Sequence, residues 1–125
     1  MTEVFTKLRA MREFQKVNLP HLLTIVDFDV VLEVGYHQEI GQTLAWSHLI
    51  LLNLGSPATV SRRTARLCKL GVLEKKPSEQ DGRVVFITLS AETSRVYHDY
   101  GRDVLRFAAM ESHPRPIDFV LRSAR

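Results

Sequence analysis

Apolar positions recur with helical spacing near both ends of the chain. In residues 2–17 they predict an N-terminal helix that residues 18–20 end, with an apolar stripe of Val4, Phe5, Leu8, Met11 and Phe14. After Ser90, which is suited to cap a helix, a second stripe predicts a long C-terminal helix containing Val96, Tyr97, Tyr100, Val104 and Phe107. Residues 113–116 hold two prolines and end that helix, and a short terminal helix is predicted from about residue 117.

Residues 24–35 are also predicted to form a helix. Thr24 and Asp27 have the spacing of a capping box, in which each side chain accepts a backbone N–H from the other residue. The predicted apolar face consists of Phe28, Val31, Leu32 and Gly35. Because β-branched residues are frequent here, a strand is the alternative. Gly41 breaks the chain after this element.

Residues 56–71 predict a helix whose two faces differ in chemistry. Ser56 can cap it, and Pro57 suits a first turn in which the backbone N–H has no helical partner. The predicted inward face is Val60, Thr64, Leu67 and Gly71, flanked by Cys68 and Leu70. The outward face carries Ala58, Thr59, Arg62, Ala65, Arg66 and Lys69. Small side chains let a backbone approach a base edge, and arginine offers forked donors to guanine or phosphate.

A predicted β-hairpin follows this helix. Gly71 is suited to end the helix in a left-handed conformation. Residues 72–76 and 83–89 are predicted strands, residues 77–82 a polar turn, and residues 44–46 a possible short strand in the same sheet. This order is typical of a winged helix, in which the hairpin, or wing, lies beside a helix that enters the DNA major groove. The alternative is an ordinary surface helix and a hairpin with solvated charges.

Three motifs carry a resemblance to a known family. They are Ser-Pro-Ala-Thr-Val-Ser-Arg at 56–62, Leu67 followed by Lys-Leu-Gly-Val-Leu at 69–73, and Asp-Gly-Arg at 81–83 before a strand that ends at Ser90. These motifs resemble the MarR family of winged helix-turn-helix regulators. The resemblance covers residues 24–90, with residues 44–49 as the first helix of the helix-turn-helix. It implies that helix 57–69 lies in the major groove, that Arg83 reaches the minor groove or the DNA backbone, and that Asp81 holds the wing in shape.

Several positions depart from that family pattern. Arg63 and Thr64 stand where apolar residues are usual, so the packing or tilt of the helix is expected to differ. His48 replaces a usual acidic residue, and residues 50–52 are unusually apolar. The chain is also shorter than typical members.

Length and charge fit a single, mainly α-helical domain with a β-hairpin, that is, an α+β winged helix. The 125 residues divide into an N-terminal helix (1–19), a winged helix-turn-helix core (20–90) and C-terminal helices (91–125). The net charge of +3 is modest, but no Lys or Arg occurs in residues 17–61, and six follow in residues 62–76. This segregation indicates a local anion-binding face. The predicted DNA-binding residues are Ser56, Ala58, Thr59, Ser61, Arg62, Arg66, Lys69, Lys75, Lys76 and Arg83.

The sequence has no constellation typical of an enzyme, and no cofactor or metal is predicted. It lacks a glycine-rich phosphate loop, and its five histidines are scattered, so a zinc site would need tertiary contacts. Cys68 is the single cysteine, which excludes an internal disulfide; it is interpreted as a small core residue, with thiol sensing left open. Trp46 is interpreted as a core or sheet residue. The lack of an apolar signal segment or of about 20 consecutive apolar residues predicts a cytoplasmic protein without a membrane span.

The apolar stripes of the end helices need partners that a winged-helix core does not require. In the resembling family such helices interlock two subunits, which implies a homodimer; packing on their own domain as a monomer is the alternative. The predicted function is a sequence-specific, double-stranded DNA-binding transcriptional regulator that acts as a dimeric repressor. The alternatives are a winged-helix adaptor that binds protein and a DNA-binding protein of replication or plasmid maintenance. A small-molecule effector is not indicated.

Overall fold

Five helices and one β-hairpin make up the part of the chain that the structure describes. The computed structural model describes residues 3–111, without the side chains of residue 104 and residues 107–111. The elements follow in the order α1 (Val4–Asn18), α2 (Ile25–Glu39), α3 (Trp46–Leu51), α4 (Pro57–Lys69), β1 (Leu73–Pro77), β2 (Val85–Leu89) and α5 (Ala91–Glu111). The predicted terminal helix and the stop at 113–116 lie outside the described residues, as do the Val104 and Phe107 side chains.

The core lies where α2, α3 and α4 pack against the hairpin. It is built almost entirely from aliphatic side chains, whose burial supplies the main driving force for folding. The completely or almost completely buried members are Val30, Val31, Val34, Leu49, Val60, Leu67, Leu73 and Ile87. The helices and the hairpin therefore form one packed unit that holds α4 against the other elements.

Local capping signals begin three of the helices where the sequence predicts. Thr24 and Asp27 form the predicted capping box of α2. The Ser56 side chain accepts the Thr59 N–H at the start of α4, and Ser90 does the same for Thr93 at the start of α5. These bonds satisfy backbone donors that the first helical turn leaves unpaired. The predicted caps are confirmed, and α2 is a helix, so the strand alternative was wrong.

The buried face of α2 differs from the predicted one. Its buried residues are Asp27, Val30, Val31 and Val34, whereas Leu32 is 61% exposed. Phe28 is half-buried against the core, and Gly35 lies close to Leu89 of the hairpin. The predicted face was therefore wrong by one residue, which is about 100° around the helix axis. The charged residue Asp27 was not expected on the inward face.

The hairpin is shorter than predicted, and its turn is longer. The two strands pair antiparallel from Leu73 opposite Leu89 to Pro77 opposite Val85. Gly71 has a φ of 79° and ends α4 as predicted, since this left-handed conformation suits glycine. Ala45 forms a single isolated bridge to Phe86, so the possible short strand at 44–46 is reduced to one residue, and α3 begins at Trp46.

The first and last helices contact each other beside this core. The Phe14 and Tyr100 rings stack with centroids 5.2 Å apart, and the Gln15 side-chain amide donates to the Tyr100 hydroxyl at 3.1 Å. No residue of α1 is buried, and Phe5 near its start is 84% exposed. Within residues 3–111, no helix combines the length and apolar character needed to cross a membrane.

Candidate nucleic-acid interface

The α4 helix separates a buried face from an exposed one, as its sequence predicts, although Gly71, predicted on the inward face, is exposed and lies beyond the helix end. Val60, Thr64 and Leu67 are fully buried, and the Thr64 hydroxyl donates to the Val60 carbonyl at 2.7 Å. That bond satisfies a polar group inside the core, so Thr64 can occupy a place where apolar residues are usual. The exposed face is formed by Ala58, Arg62, Ala65 and Lys69.

Hydroxyl groups lie at the start of α4. The Ser56 hydroxyl accepts the Thr59 N–H at 3.2 Å and donates to the Thr59 hydroxyl at 2.8 Å. Ser56 is exposed, whereas Thr59 and Ser61 are half-buried. The exposed hydroxyl of Ser56 is therefore engaged mainly in capping the helix, and Thr59 lies nearer the flank than the predicted outward face.

Arg66 also departs from the predicted outward position. It is half-buried on the flank of α4, where Nη1 donates to the His21 carbonyl at 2.8 Å and lies 3.8 Å from Asp27 Oδ2. The prediction placed Arg66 by helical period alone. A long side chain on the flank can instead turn toward acceptors on a neighbouring segment, here the α1–α2 connection.

Next to Arg66 lies an ion pair that sequence reasoning missed. Arg63 Nε donates to Asp27 Oδ1 at 2.7 Å, and Arg63 Nη2 donates to Oδ2 at 2.5 Å. Asp27 Oδ2 also accepts the backbone N–H groups of Leu23 and Thr24, at 2.8 and 3.0 Å. The available signal was that Arg63 replaces a usual apolar residue, while Asp27 lies in a stretch that contains no Lys or Arg.

The surroundings of Asp27 keep its carboxylate ionised. Burial alone raises the pKa of Asp27, but the Arg63 hydrogen bonds and the two backbone N–H donors outweigh it, so its pKa lies below the ordinary value of 3.8. Hydrogen bonding to Asp27 likewise raises the pKa of Arg63. The pair is therefore charged at neutral pH.

Hydrogen bonds also organise the wing turn. Ser78 Oγ accepts the N–H groups of Gln80 and Asp81, both at 3.2 Å. Asp81 Oδ1 accepts the Arg83 backbone N–H at 3.1 Å and lies 3.3 Å from Arg83 Nε. The Arg83 side chain nevertheless remains 93% exposed. It is thus held near Asp81 while its guanidinium faces solvent.

Basic side chains connect α4 to the wing. Lys69 and Lys75 line one groove between α4 and β1, and Lys75 and Arg83 line another beside Trp46. The Lys75 ammonium lies 5.0 Å from the centroid of the Trp46 ring, a cation–π distance. Lys76 is exposed on the same strand. The structure therefore places Lys69, Lys75 and Arg83 along two grooves that share Lys75, whereas Arg66 is turned toward Asp27.

Cys68 and Trp46 both lie at the boundary of the core. Cys68 is a free, half-buried thiol whose pKa is raised by burial, with the nearby Lys75 charge opposing that rise. Trp46 packs against the core at the edge of the hairpin, in agreement with its interpretation as a core or sheet residue. Within residues 3–111, no three His, Cys, Asp or Glu side chains are grouped in a way that could hold a metal ion.

Comparison with solved structures gives the same fold over almost the whole chain. The S. aureus MepR–DNA complex aligns with a TM-score of 0.65 at 14% identity, covering 100% of both chains. Apo MarR from E. coli aligns at 0.58 with 17% identity, covering 95% of this chain and 88% of its own. The regulator Tm0710 from Thermotoga maritima aligns at 0.59 with 17% identity, covering 94% of this chain and 82% of its own. The predicted winged-helix fold is confirmed, and the resemblance to MarR holds at the level of the fold.

Sequence comparison identifies the family. No curated protein matches the chain. A family model described as the transcriptional regulator SarA/Rot matches residues 12–100, from the middle of α1 into α5. The predicted function of a DNA-binding transcriptional regulator is confirmed at this level. The chain belongs to the SarA/Rot family of transcriptional regulators.

Proposed function

We propose that this regulator represses transcription in the cytoplasm as a homodimer that reads double-stranded DNA, with α4 in the major groove and the wing against the neighbouring minor groove or backbone. The observation that carries the proposal is the exposed face of α4. Arg62 and Lys69 project there beside Ala58 and Ala65, whose small side chains permit close approach to DNA. The groove that Lys69 shares with Lys75 continues this positive surface onto the wing.

The roles of the basic residues follow from their positions. Arg62 lies in the middle of the exposed face and is the residue proposed to read a base edge, since a guanidinium can bind the two acceptors of guanine. Lys69, Lys75 and Lys76 are proposed to bind phosphates, which positions the protein without reading sequence. Ser56, Thr59 and Ser61 would lie near the DNA at the start of α4.

The wing is proposed to support this reading helix. Arg83 is almost fully exposed, and a narrow minor groove attracts such a charge without a unique base code. Asp81 is proposed to hold the turn, because its carboxylate accepts the Arg83 backbone N–H. The solved complex of MepR with DNA supports this docking, since its fold matches the entire chain.

The dimer is proposed from the uncovered apolar face of α1. Phe5 is 84% exposed and Leu8 is 45% exposed, although both belong to the apolar stripe of that helix. Covering such side chains with a second copy would remove apolar area from water. A two-fold dimer would place two α4 helices about one DNA turn, ~34 Å, apart.

Selection from random DNA followed by salt titration tests the proposal. The enriched sequence should be two-fold symmetric, and for about six neutralised phosphates the slope of log affinity against log salt should be about −5. Lys75→Ala with Lys76→Ala should reduce that slope and weaken all sequences about equally. Lys16→Ala, in the last turn of α1, is the matched control and should change neither quantity. A slope near zero, or failure to enrich any sequence, would instead favour a protein-binding adaptor.

A further inference from the structure

The contact between α4 and α2 has an aliphatic part and a polar part. Val30, Val31 and Val34 of α2 belong to the same buried cluster as Val60 and Leu67 of α4. Aliphatic contacts are non-directional, so these side chains alone would tolerate small changes in the angle or rotation of α4. The polar part is the Asp27–Arg63 ion pair, whose geometry is directional.

Asp27 is bound both by the backbone that precedes α2 and by Arg63 of α4. It is the one charged residue that is buried among the side chains that the structure describes. The backbone N–H groups of Leu23 and Thr24 fix its carboxylate at the start of α2. Arg63 then binds both carboxylate oxygens through Nε and Nη2. Because the guanidinium is planar and both of its bonds are made, the pair restricts orientation as well as distance.

A second contact fastens the same side of α4. Arg66 lies one turn after Arg63 and donates to the His21 carbonyl at 2.8 Å. The α1–α2 connection and the start of α2 therefore hold α4 at two successive turns. Neither Arg63 nor Arg66 lies at the centre of the exposed face, where Arg62 and Lys69 project.

We propose that Asp27 and Arg63 are positioning residues for DNA recognition: their ion pair fixes the rotation and tilt of α4 and thereby the base edges that Arg62 reaches. The inference rests on the proposed function. Arg62 and Arg63 are consecutive and point about 100° apart around the helix. Holding Arg63 in one direction therefore holds Arg62 in another, and a binding geometry must be kept within about 0.5 Å and 10–20° to remain productive.

The physical reason to use an ion pair here is specificity more than stability. Replacing a buried ion pair by apolar residues is often neutral for stability, whereas leaving one charge buried alone is strongly destabilising. The pair should thus be removed as a unit. Asp27→Asn with Arg63→Met keeps an oxygen for the Leu23 and Thr24 backbone donors, keeps an unbranched side chain at residue 63 and leaves the net charge unchanged.

The experiment compares affinity for the selected DNA site with affinity for random DNA of equal length. Selectivity, the ratio of these two affinities, should fall about tenfold in the double variant. Its affinity for random DNA at low salt should stay within twofold of the wild type. The matched control is Asp99→Asn with Arg102→Met, which removes an exposed ion pair of α5 at 2.6 Å and should leave both affinities unchanged. Arg63→Lys keeps the charge but loses the fork, and it should retain an intermediate selectivity.

Each outcome decides the inference. Selectivity within twofold of the wild type in the folded double variant overturns it. An equal loss on selected and random DNA also overturns it, because Arg63 would then act as an ordinary phosphate contact. If circular dichroism shows that the double variant does not fold, the inference is tested with Arg63→Lys instead, by the same ratio of affinities for selected and random DNA. Failure of the proposed function is recognised separately, since the wild-type protein itself would show no salt-dependent DNA binding.

Discussion

The helices α1 and α4 carry similar apolar stripes but differ in how those stripes are covered. In α4, Val60 and Leu67 have no exposed surface. In α1 no residue is buried, and Phe5 is 84% exposed. Apolar periodicity therefore predicts that a helix forms and has an apolar face, but it does not tell whether the partner of that face belongs to the same chain.

The difference follows from what surrounds each helix. The α4 helix packs against α2, α3 and the hairpin, whereas the contacts between described side chains of α1 and α5 include Phe14 and Gln15 against Tyr100. These contacts lie in the second half of α1, and they agree in part with the monomer alternative. The first half of the stripe is left for the proposed dimer, which stays a prediction.

The sharpest contrast between the two helices should appear in folding stability. Leu67→Ala should lower the free energy of unfolding by about 2–5 kcal/mol, because it leaves a cavity in the core. Leu8→Ala should change it by less than about 0.5 kcal/mol in dilute protein, since Leu8 is partly solvated already. Urea unfolding followed by circular dichroism measures both. Similar losses at the two positions would contradict the comparison.

Self-association should depend on the apolar stripe of α1 more than on that of α4. Phe5→Ser with Leu8→Ser should weaken the dimer by at least about 3 kcal/mol, a hundredfold or more, because two apolar side chains of each protomer would leave the interface. Val17→Ser is the control, as Val17 is also exposed but lies at the other end of α1. Analytical ultracentrifugation measures the dissociation constants. A wild-type protein that is monomeric at micromolar concentration would count against the dimer.

On the exposed face of α4, the expected effects concern base preference. Arg62→Ala should cost about 1–3 kcal/mol on the selected site and relax preference at one or two base pairs. Arg62→Lys should rescue little, since an ammonium does not reproduce the fork. Arg83→Ala should weaken binding mainly at A·T-rich flanks. Specificity profiles of the three variants compare them; if Arg83→Ala changed the central motif instead, the roles of helix and wing would be exchanged.

Because Asp27 attaches α4 to α2 through a charged carboxylate, the free energy of unfolding should vary with pH in the acid range. Since the folded pKa of Asp27 lies below its ordinary value of 3.8, its ionised form stabilises the fold above that value. This contribution should disappear as pH falls from 3.8 through the lower folded pKa. The stability difference between wild type and Asp27→Asn should therefore shrink over that range, as urea titrations at stepped pH can measure. A difference that stays constant would indicate that the charge of Asp27 contributes nothing.

The smallest effect is expected at Cys68, on the flank of α4. Burial raises the pKa of its thiol, so less thiolate is present at neutral pH than for an ordinary cysteine. Iodoacetamide should modify it more slowly than a cysteine in an unfolded peptide. Lys75→Ala should slow the reaction by a further few-fold, because the ammonium opposes the shift. Faster reaction than in the peptide would revive a thiol-sensing role.

The sequence alone determined the features that depend on near neighbours. Thr24, Ser56 and Ser90 cap helices through bonds to residues three positions away. Gly71 ends α4 because one backbone conformation is required at one position. The inward face of α4 and the hairpin were predictable for the same reason, since helical period and turn residues act over a few positions.

Only the tertiary structure decided where the charged side chains point. Arg63 and Asp27 are 36 positions apart, and Arg66 and His21 are 45 apart. No local pattern links such positions, and the same pairing made Asp27 a buried residue and turned Arg66 from the exposed face. A long arginine side chain has several directions open to it at similar energy, and the acceptor that selects one is present only after α2 and the α1–α2 connection have packed against α4.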